Sequence, residues 1–460
     1  MQKGGGKKKN KEKTGFTPVE DMIKSPDTTF DVLTADSLFG FMVTMEVSRE
    51  NAEYLGRSRG GNKLDHLITQ YLLKISVIDV TRHYLDPIVL DGRGHNKSSE
   101  SATNFYKEAM LQQRIWLESI VGGKVPVCPD VYNVSYNCGN ALFRSARPSA
   151  SSTASFSRRE VRKYPQVHDY LVRYHDSARS GSSAKIGAIA MEYIPNSRTL
   201  YEVMYPDVEE AFKRKALITA GAQVLRLFLN HAVVHNDLHL GNVLVDETGM
   251  SYIIDFGIVV DLSDTTSRYY VRYSPFNLME SRRAYNAFFQ EQRPNRMDPE
   301  GDRADIETTC REIIEKLMRA EKAIFGRCQM DFLFGELESR NLFYEVGLKY
   351  KELSSSSSGA MSQKAIHKKI ENGEIELITD AGLGEALIQQ LPFLQPTYAS
   401  DDASDVETVP IATAYLATVP LARTDETIML PNTERNNAIG IIKRSRVIKR
   451  KKQKKTKRRR

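Results

Sequence analysis

Apolar and β-branched residues mark the first elements of the chain. Between Thr29 and Val47 their pattern predicts a strand, a short loop and a second strand, and the segment at 66–80 predicts a third. Residues 101–119 then show helical spacing, with Phe105 and its apolar neighbours available for a buried side. The chain therefore begins its folded part with strands followed by one helix.

The pattern continues with shorter strands and a long helix. Residues 125–136 and 186–194 predict strands, and the second strand stops at Pro195. Residues 208–231 predict a long helix, because Leu217, Ala220, Val224 and Leu227 repeat at helical spacing. Two short apolar strands separated by the turn sequence DETG follow. Further helices are predicted around 277–290 and 303–324.

Low-complexity sequence separates these elements from the ends of the chain. Serine-rich stretches flank a polar segment at 145–185, which predicts a mobile insertion, and five serines at 354–358 mark a linker. Beyond the linker, only 363–393 has a helical pattern. The predicted organisation is a basic disordered start (1–19), a small lobe (20–195, with the insertion), a large lobe (196–353), a flexible region (354–442) and a basic tail (443–460).

The charge is distributed unevenly. Residues 443–460 contain 13 Lys or Arg and no acid, and residues 1–15 contain six Lys and one Glu. Since the net charge of the whole chain is +7, the residues between these two ends have a net charge of −11. An acidic body argues against a nucleic-acid-binding surface on the folded part. The tail itself predicts either an import signal or electrostatic attachment to nucleic acid or an acidic membrane.

Cysteine usage and hydropathy bear on the compartment. The four cysteines show no CxxC pair and no histidine at ligand spacing, which disfavours a disulfide scaffold or a structural zinc site. No apolar run approaches the roughly 18 residues of a membrane span, and no apolar segment follows the basic start. These features predict an intracellular protein, cytoplasmic or nuclear.

The strongest chemical signal is the sequence HNDLHLGN at 235–242, followed by Asp255, Phe256 and Gly257. It resembles the catalytic core of the protein kinase-like superfamily, in which HxDxxxxN, a β-hairpin and DFG follow one another. The resemblance extends over roughly residues 29–290. It implies that Asp237 is the catalytic base, that Asn242 and Asp255 hold Mg²⁺, and that ATP is the phosphoryl donor.

The same resemblance assigns residues of the small lobe. Lys74, within LLKISVID, matches the lysine that contacts the α- and β-phosphates, and Glu108 on the predicted helix matches its ion-pair partner. In place of the glycine-rich GxGxxG loop the chain has Ala35, Ser37 and, as the one remaining glycine, Gly40.

The strand at 186–194 resembles the segment that leads into the nucleotide hinge. Met191 would line the back of the adenine pocket, and Glu192 and Ile194 would offer backbone groups to the base. The predicted fold is therefore α+β and bilobal, with a small antiparallel-sheet lobe carrying one helix and a larger helical lobe.

Departures from the family pattern keep several functions open. Asn236 replaces an arginine that binds an activation-loop phosphate in many relatives, His239 replaces a lysine, and no APE motif follows Gly257. The pattern HxDLHxGN is similar to that of kinase-like enzymes acting on small molecules or lipids, and of eukaryote-like kinases of large DNA viruses; for a viral protein, the host cell or the virion would be the expected location.

A serine/threonine protein kinase with a protein substrate is the leading interpretation. The alternatives are a small-molecule or lipid kinase, a pseudokinase scaffold, and a nucleic-acid-binding protein with a vestigial kinase body.

Overall fold

The structure is a computed structural model. The residues it describes are 23, 28–34, 40–48, 69–79, 100–122, 125–135, 138, 184–264, 268–291, 299–355, 365, 368 and 369. All of them fall within one compact unit, residues 1–395. The predicted insertion at 145–185 lies outside the described residues except for its last two positions, as do the basic start before residue 23 and the basic tail.

A six-stranded sheet forms the small lobe. The elements of this lobe are β1 (Thr29–Thr34), β2 (Gly40–Glu46), β3 (Gln70–Asp79), β4 (Glu100–Ser101), α1 (Ala102–Gly122), β5 (Val131–Ser135) and β6 (Ala184–Glu192). The strands follow the order β1-β2-β3-β6-β5 with antiparallel neighbours, and the short β4 pairs in parallel with β3. The predicted strands and the single helix α1 are confirmed.

Helix α1 packs on the sheet at a point where β6 lacks a side chain. A Cβ added at Gly187 would lie 2.1 Å from the Ile78 side chain and 2.8 Å from the ring of Phe105. Phe105 and Ile78 are fully buried. Since real Cβ atoms do not approach so closely, glycine at 187 lets the helix lie directly on the sheet, and this contact fixes the height of Glu108 above β3.

The large lobe is mainly helical. Its elements are β7 (Arg198–Thr199), α2 (Leu200–Val203), α3 (Glu210–Leu229), β8 (Val233–Val234), β9 (Val243–Val245), β10 (Ser251–Ile253), β11 (Val260–Asp261), α4 (Arg268–Tyr273), α5 (Leu278–Glu291), α6 (Pro299–Phe325), α7 (Asp331–Ser339) and α8 (Phe343–Ser354). Short 3₁₀ turns lie at Leu240–Asn242 and Ser274–Phe276. Together the lobes give the α+β, bilobal kinase-like fold.

Helix α3 is the centre of this lobe. Its predicted apolar positions are buried, and α8, α7, α5 and β10 surround it. From Ala216 onward nearly every residue of the helix is buried, which is typical of a core helix. Helices α7 and α8 were not predicted from the sequence, and α8 is the largest helical neighbour of α3. No helix in the described ranges is both long enough and apolar enough to cross a membrane.

Candidate active site

Lys74 lies in the middle of β3 and faces helix α1. Its ammonium nitrogen is 2.7 Å from each carboxylate oxygen of Glu108, 34 residues further along the chain. The side chains are 8% and 2% exposed, so the ion pair is buried. A buried ion pair forms only where both elements hold it in place, and the contact between Phe105 and Gly187 provides that support.

Lys74 also reaches the large lobe. Its ammonium is 3.0 Å from Oδ1 of Asp255, which follows β10 in the left-handed region at φ 62°. Asp and Asn tolerate this region better than other non-glycine residues. The Lys74 ammonium holds the pKa of Asp255 below its usual value, whereas burial raises the pKa of Glu108 against the opposing effect of Lys74. One cation thus links two carboxylates from two lobes.

The loop before β9 places Asp237 and Asn242 together. The amide nitrogen of Asn242 donates to the backbone carbonyl of Asp237 at 2.8 Å, and the carbonyl of Asn242 accepts from the backbone of Ile254 at 3.0 Å. The carboxylate of Asp237 is partly exposed and bonds to no described residue. It is therefore available to accept a hydrogen bond from an incoming hydroxyl.

The buried side chains of His235 and Asn236 connect this loop to the residues that surround Asp255. His235 is buried, its Nε2 lies 3.0 Å from the carbonyl of Ile254, and its ring packs on Phe256 at 5.4 Å. Burial lowers the pKa of His235, so the ring is neutral and Nε2–H is the donor. Asn236 is buried at φ 64°, donates to the carbonyl of Ile258 at 2.9 Å and accepts from the hydroxyl of Tyr273.

Two contacts between α1 and the large lobe were missed by sequence reasoning. Arg114 binds Asp261 on β11 at 2.6 Å, and Glu118 binds His231 at 2.7 Å. Arg114 and Glu118 lie six and ten residues after Glu108, so the helix contacts the large lobe at two further points along its length. No local pattern signals such pairs, because their separations are 147 and 113 residues.

The predicted hinge residues lie at the end of β6. Met191 is buried, and its sulfur accepts from the side-chain amide of Gln112 at 3.6 Å. The N–H of Glu192 donates to the carbonyl of Asp130, and the carbonyl of Ile194 accepts from Ser197. The N–H of Ile194 has no partner among the described residues, which makes it the donor that could meet an adenine ring.

Of the predicted phosphate-covering loop, Ala35 and Ser37 lie outside the described residues. Gly40 begins β2, and a Cβ added there would lie 1.7 Å from the carbonyl oxygen of Ile75. Glycine at 40 is thus required by the approach of β3.

The donor set at the centre of the site fits Mg²⁺. The described residues contain no cluster of three or more His, Cys, Asp or Glu side chains that could hold a metal. Asp255 supplies a carboxylate that is 47% exposed, and Asn242 keeps its amide oxygen because its nitrogen is committed to Asp237. Two protein oxygens completed by water and phosphate are what Mg²⁺ prefers.

One family model matches the chain. It describes the ABC1 atypical kinase-like domain and matches residues 183–281, roughly a fifth of the chain. The matched range contains Asp237, Asn242 and Asp255, and ends before it would include α6. Lys74 and Glu108 lie outside it, so their pairing rests on the structure. No curated protein matches the sequence.

Proposed function

Because the chain belongs to the protein kinase-like superfamily, we propose that it is an ATP- and Mg²⁺-dependent phosphotransferase that transfers the γ-phosphate to a hydroxyl, with Ser or Thr of a protein as the acceptor. One observation carries the proposal: the Lys74 ammonium joins Glu108 and Asp255 at 2.7 and 3.0 Å. In a phosphotransferase this arrangement places a cation and a metal-binding carboxylate side by side at the phosphates.

The residues have distinct roles in this proposal. Lys74, aligned by Glu108, would contact the phosphates, and the N–H of Ile194 would contact the base. Asp255 and Asn242 would hold Mg²⁺, which neutralises phosphate charge. Asp237 would orient the acceptor hydroxyl and take its proton as the new P–O bond forms and the bond to the leaving diphosphate breaks.

A small-molecule acceptor is the second candidate, favoured by the conformation of His239. In serine/threonine kinases a lysine stands at this position, two residues after the base. Here Nδ1 of His239 accepts the backbone N–H of Gly241 at 3.0 Å, so the side chain caps its own turn. The loop therefore has no lysine side chain extending beside Asp237, and a small-molecule hydroxyl could approach Asp237 there.

Transfer of label tests the proposal. The full chain would be incubated with γ-labelled ATP and Mg²⁺, with generic protein substrates and with a set of small alcohols and lipids. We expect label on protein and its loss in Asp255→Ala. Asp207→Ala, at an exposed carboxylate distant in sequence from the motif, is the matched control.

Label on a small molecule alone would favour the second candidate. Nucleotide binding without transfer to any acceptor would identify a pseudokinase. Asp255→Ala with undiminished transfer would refute the assigned metal ligand.

A further inference from the structure

A cavity of about 460 Å³ lies where three helices of the large lobe end. Its walls are the end of α3 at Leu229, one face of α5 between Arg282 and Gln290, and the end of α8 from Tyr350 to Ser355. We call it the three-helix pocket. None of the described residues assigned to the nucleotide, the metal or the acceptor contributes to its walls.

Side chains of α5 cover the end of α3 and are held in place there. Nε of Arg282 donates to the carbonyl of Leu229 at 2.6 Å, and its Nη2 donates to the carbonyl of Asn230 at 3.1 Å. The amide nitrogen of Asn286 donates to the same Leu229 carbonyl at 3.0 Å. Nη1 of Arg282 and the amide oxygen of Asn286 have no partner among the described residues. The wall therefore presents one donor and one acceptor in fixed positions.

The electrostatic field in the pocket is nearly balanced. Arg282 and Lys351 are the charged residues of the described lining, and both are cations. Three helices end around them, at Leu229, Glu291 and Ser354, and each helix C-terminus carries about half a negative charge. Because the cations and the helix ends oppose each other, a charged ligand would gain little from the pocket and would lose its hydration. An uncharged ligand is therefore favoured.

Most of the lining can form hydrogen bonds. Gln290 is exposed and bonds to no other described residue, so its amide offers two donors and an acceptor. Ser355 is exposed as well, and its hydroxyl donates to the carbonyl of Lys351 at 2.6 Å while its oxygen can still accept. A hydroxyl group both donates and accepts, so it matches such mixed partners. The lining thus suits a ligand that carries several hydroxyl groups.

Leu229 and Phe289 form the apolar part of the wall. The ring of Phe289 packs against the ring of Tyr350 at a centroid distance of 4.8 Å, which fixes its position. A sugar ring carries hydroxyls at its rim and presents an apolar C–H face that can cover such a surface. The volume of about 460 Å³ lies within the range of about 300–1,000 Å³ that is usual for small-molecule sites. It accommodates one or two sugar rings.

We propose that the three-helix pocket is a binding site for an uncharged, polyhydroxylated ligand of one or two sugar rings. The amides of Asn286 and Gln290 and the guanidinium of Arg282 bind its hydroxyls, and Phe289 contacts its C–H face. This site is independent of phosphoryl transfer, because the ligand reaches neither the nucleotide nor the acceptor.

Saturation-transfer NMR on the full chain, without nucleotide, tests the site. The probes are six neutral sugars: glucose, galactose, mannose, maltose, lactose and trehalose. We expect saturable binding of at least one of them in the millimolar range. Absence of saturable binding for all six overturns the proposal.

Two variants locate the binding. Gln290→Ala removes the exposed amide and should weaken the affinity for the bound sugar at least fivefold, and Ser355→Trp, which narrows the pocket, should weaken it at least tenfold. Arg283→Ala and Glu352→Trp are the matched controls, because each lies on the same helix, is exposed and does not line the pocket. Circular dichroism would establish that every variant is folded. Affinity unchanged in both pocket variants, or lowered equally in their controls, overturns the assignment to this pocket.

Charged analogues test the chemical class of the ligand. Glucuronate adds a negative charge to the ring, and 6-amino-6-deoxyglucose adds a positive one. We expect both to bind no more tightly than the neutral sugar. A tenfold gain for either analogue that is lost in Gln290→Ala or Ser355→Trp would overturn the preference for an uncharged ligand. Since no nucleotide is present, none of these outcomes depends on the phosphotransferase activity.

Discussion

The hydroxyl of Tyr273 donates a hydrogen bond to the side-chain carbonyl of Asn236, 37 residues earlier in the chain. The amide of the same asparagine donates to the carbonyl of Ile258 at 2.9 Å. One neutral side chain, directly before the proposed base, therefore joins the start and the end of the segment that follows Asp255. Relatives that use arginine at this position hold the same segment through a phosphate.

We predict that activity does not require phosphorylation of this segment, because Asn236 and Tyr273 already hold it. Tyr273→Phe should lower the stability by about 1 kcal/mol, the usual contribution of one hydrogen bond, and should reduce the rate of transfer. Tyr270→Phe, on the same short helix, is the control. Rates would be compared before and after phosphatase treatment; silencing by phosphatase that rephosphorylation of residues 263–267 reverses would contradict the idea.

Two variants at Lys74 should distinguish its contribution to folding stability from its contribution to nucleotide binding. Lys74→Met leaves the carboxylate of Glu108 buried without its cation, which should cost about 3–5 kcal/mol of unfolding free energy. The double variant Lys74→Met with Glu108→Leu should recover much of that loss, because no buried charge remains. Nucleotide affinity should stay low in both variants. Chemical denaturation and calorimetric titration would measure the two effects. Recovery of nucleotide affinity in the double variant would mean that Lys74 does not contact the phosphates.

Asp237→Asn should lower kcat by about 10²- to 10⁴-fold with little change in ATP affinity. The reason is that Asp237 would act on the acceptor hydroxyl, while no described contact joins it to Lys74. Steady-state kinetics with a saturating acceptor would measure kcat, and nucleotide titration would measure the affinity. A large loss of ATP affinity with kcat unchanged would place Asp237 at the nucleotide.

Stability should fall as the pH falls below 6.5. Burial lowers the pKa of His235 from its ordinary value of 6.5, so the unfolded chain binds a proton at a higher pH than the folded protein does. Protonation would also add an N–H at Nδ1, a buried atom that has no hydrogen-bond partner among the described residues. His231 shifts in the same direction for the same main reason.

Urea denaturation at several pH values would measure this dependence. His235→Phe should reduce this dependence, and the part that remains is expected from His231. A loss of stability in His235→Phe as large as that of the wild type would show that the proton is taken up elsewhere.

Deletion of residues 443–460 should change location or partner binding and leave ATP turnover with a small soluble substrate unchanged. The deletion removes 13 cations, and attachment to nucleic acid or an acidic membrane should weaken steeply with salt. Deletion of 425–442, of the same length, is the control. Binding that persists at high salt would indicate an import receptor, and loss of turnover would place the tail within the catalytic unit.

Much of the fold follows from local patterns. The strands of the small lobe, helix α1 and the hairpin β9–β10 were predicted because each carries its own periodicity or turn sequence. Helices α7 and α8 were not predicted, although α8 carries a helical signal: Phe343, Val346, Tyr350 and Leu353 are buried and recur at helical spacing.

The centre of the site was predictable for a different reason. The resemblance to the kinase-like superfamily suggested the pair of Lys74 and Glu108, although their separation of 34 residues is longer than that family usually shows, and the structure brings them to 2.7 Å. The contacts of Arg114 with Asp261 and of Asn236 with Tyr273 could not be predicted, because they depend on how distant segments approach in three dimensions. Side chains of this kind leave no periodic trace in the sequence.

The loop after helix α1 is held by hydrogen bonds from the large lobe. Arg226 on α3 donates to the carbonyl of Val125 at 2.7 Å, Gln223 donates to that of Pro126, and Ile253 of β10 donates to that of Val127. The C-terminal end of α1 is consequently fixed to the large lobe and would move with it. If the lobes open, the helix must swing as a lever about residues 125–127. Glu108 lies about four turns from that pivot, so a rotation of a few degrees would displace it by more than an ångström and break its contact with Lys74.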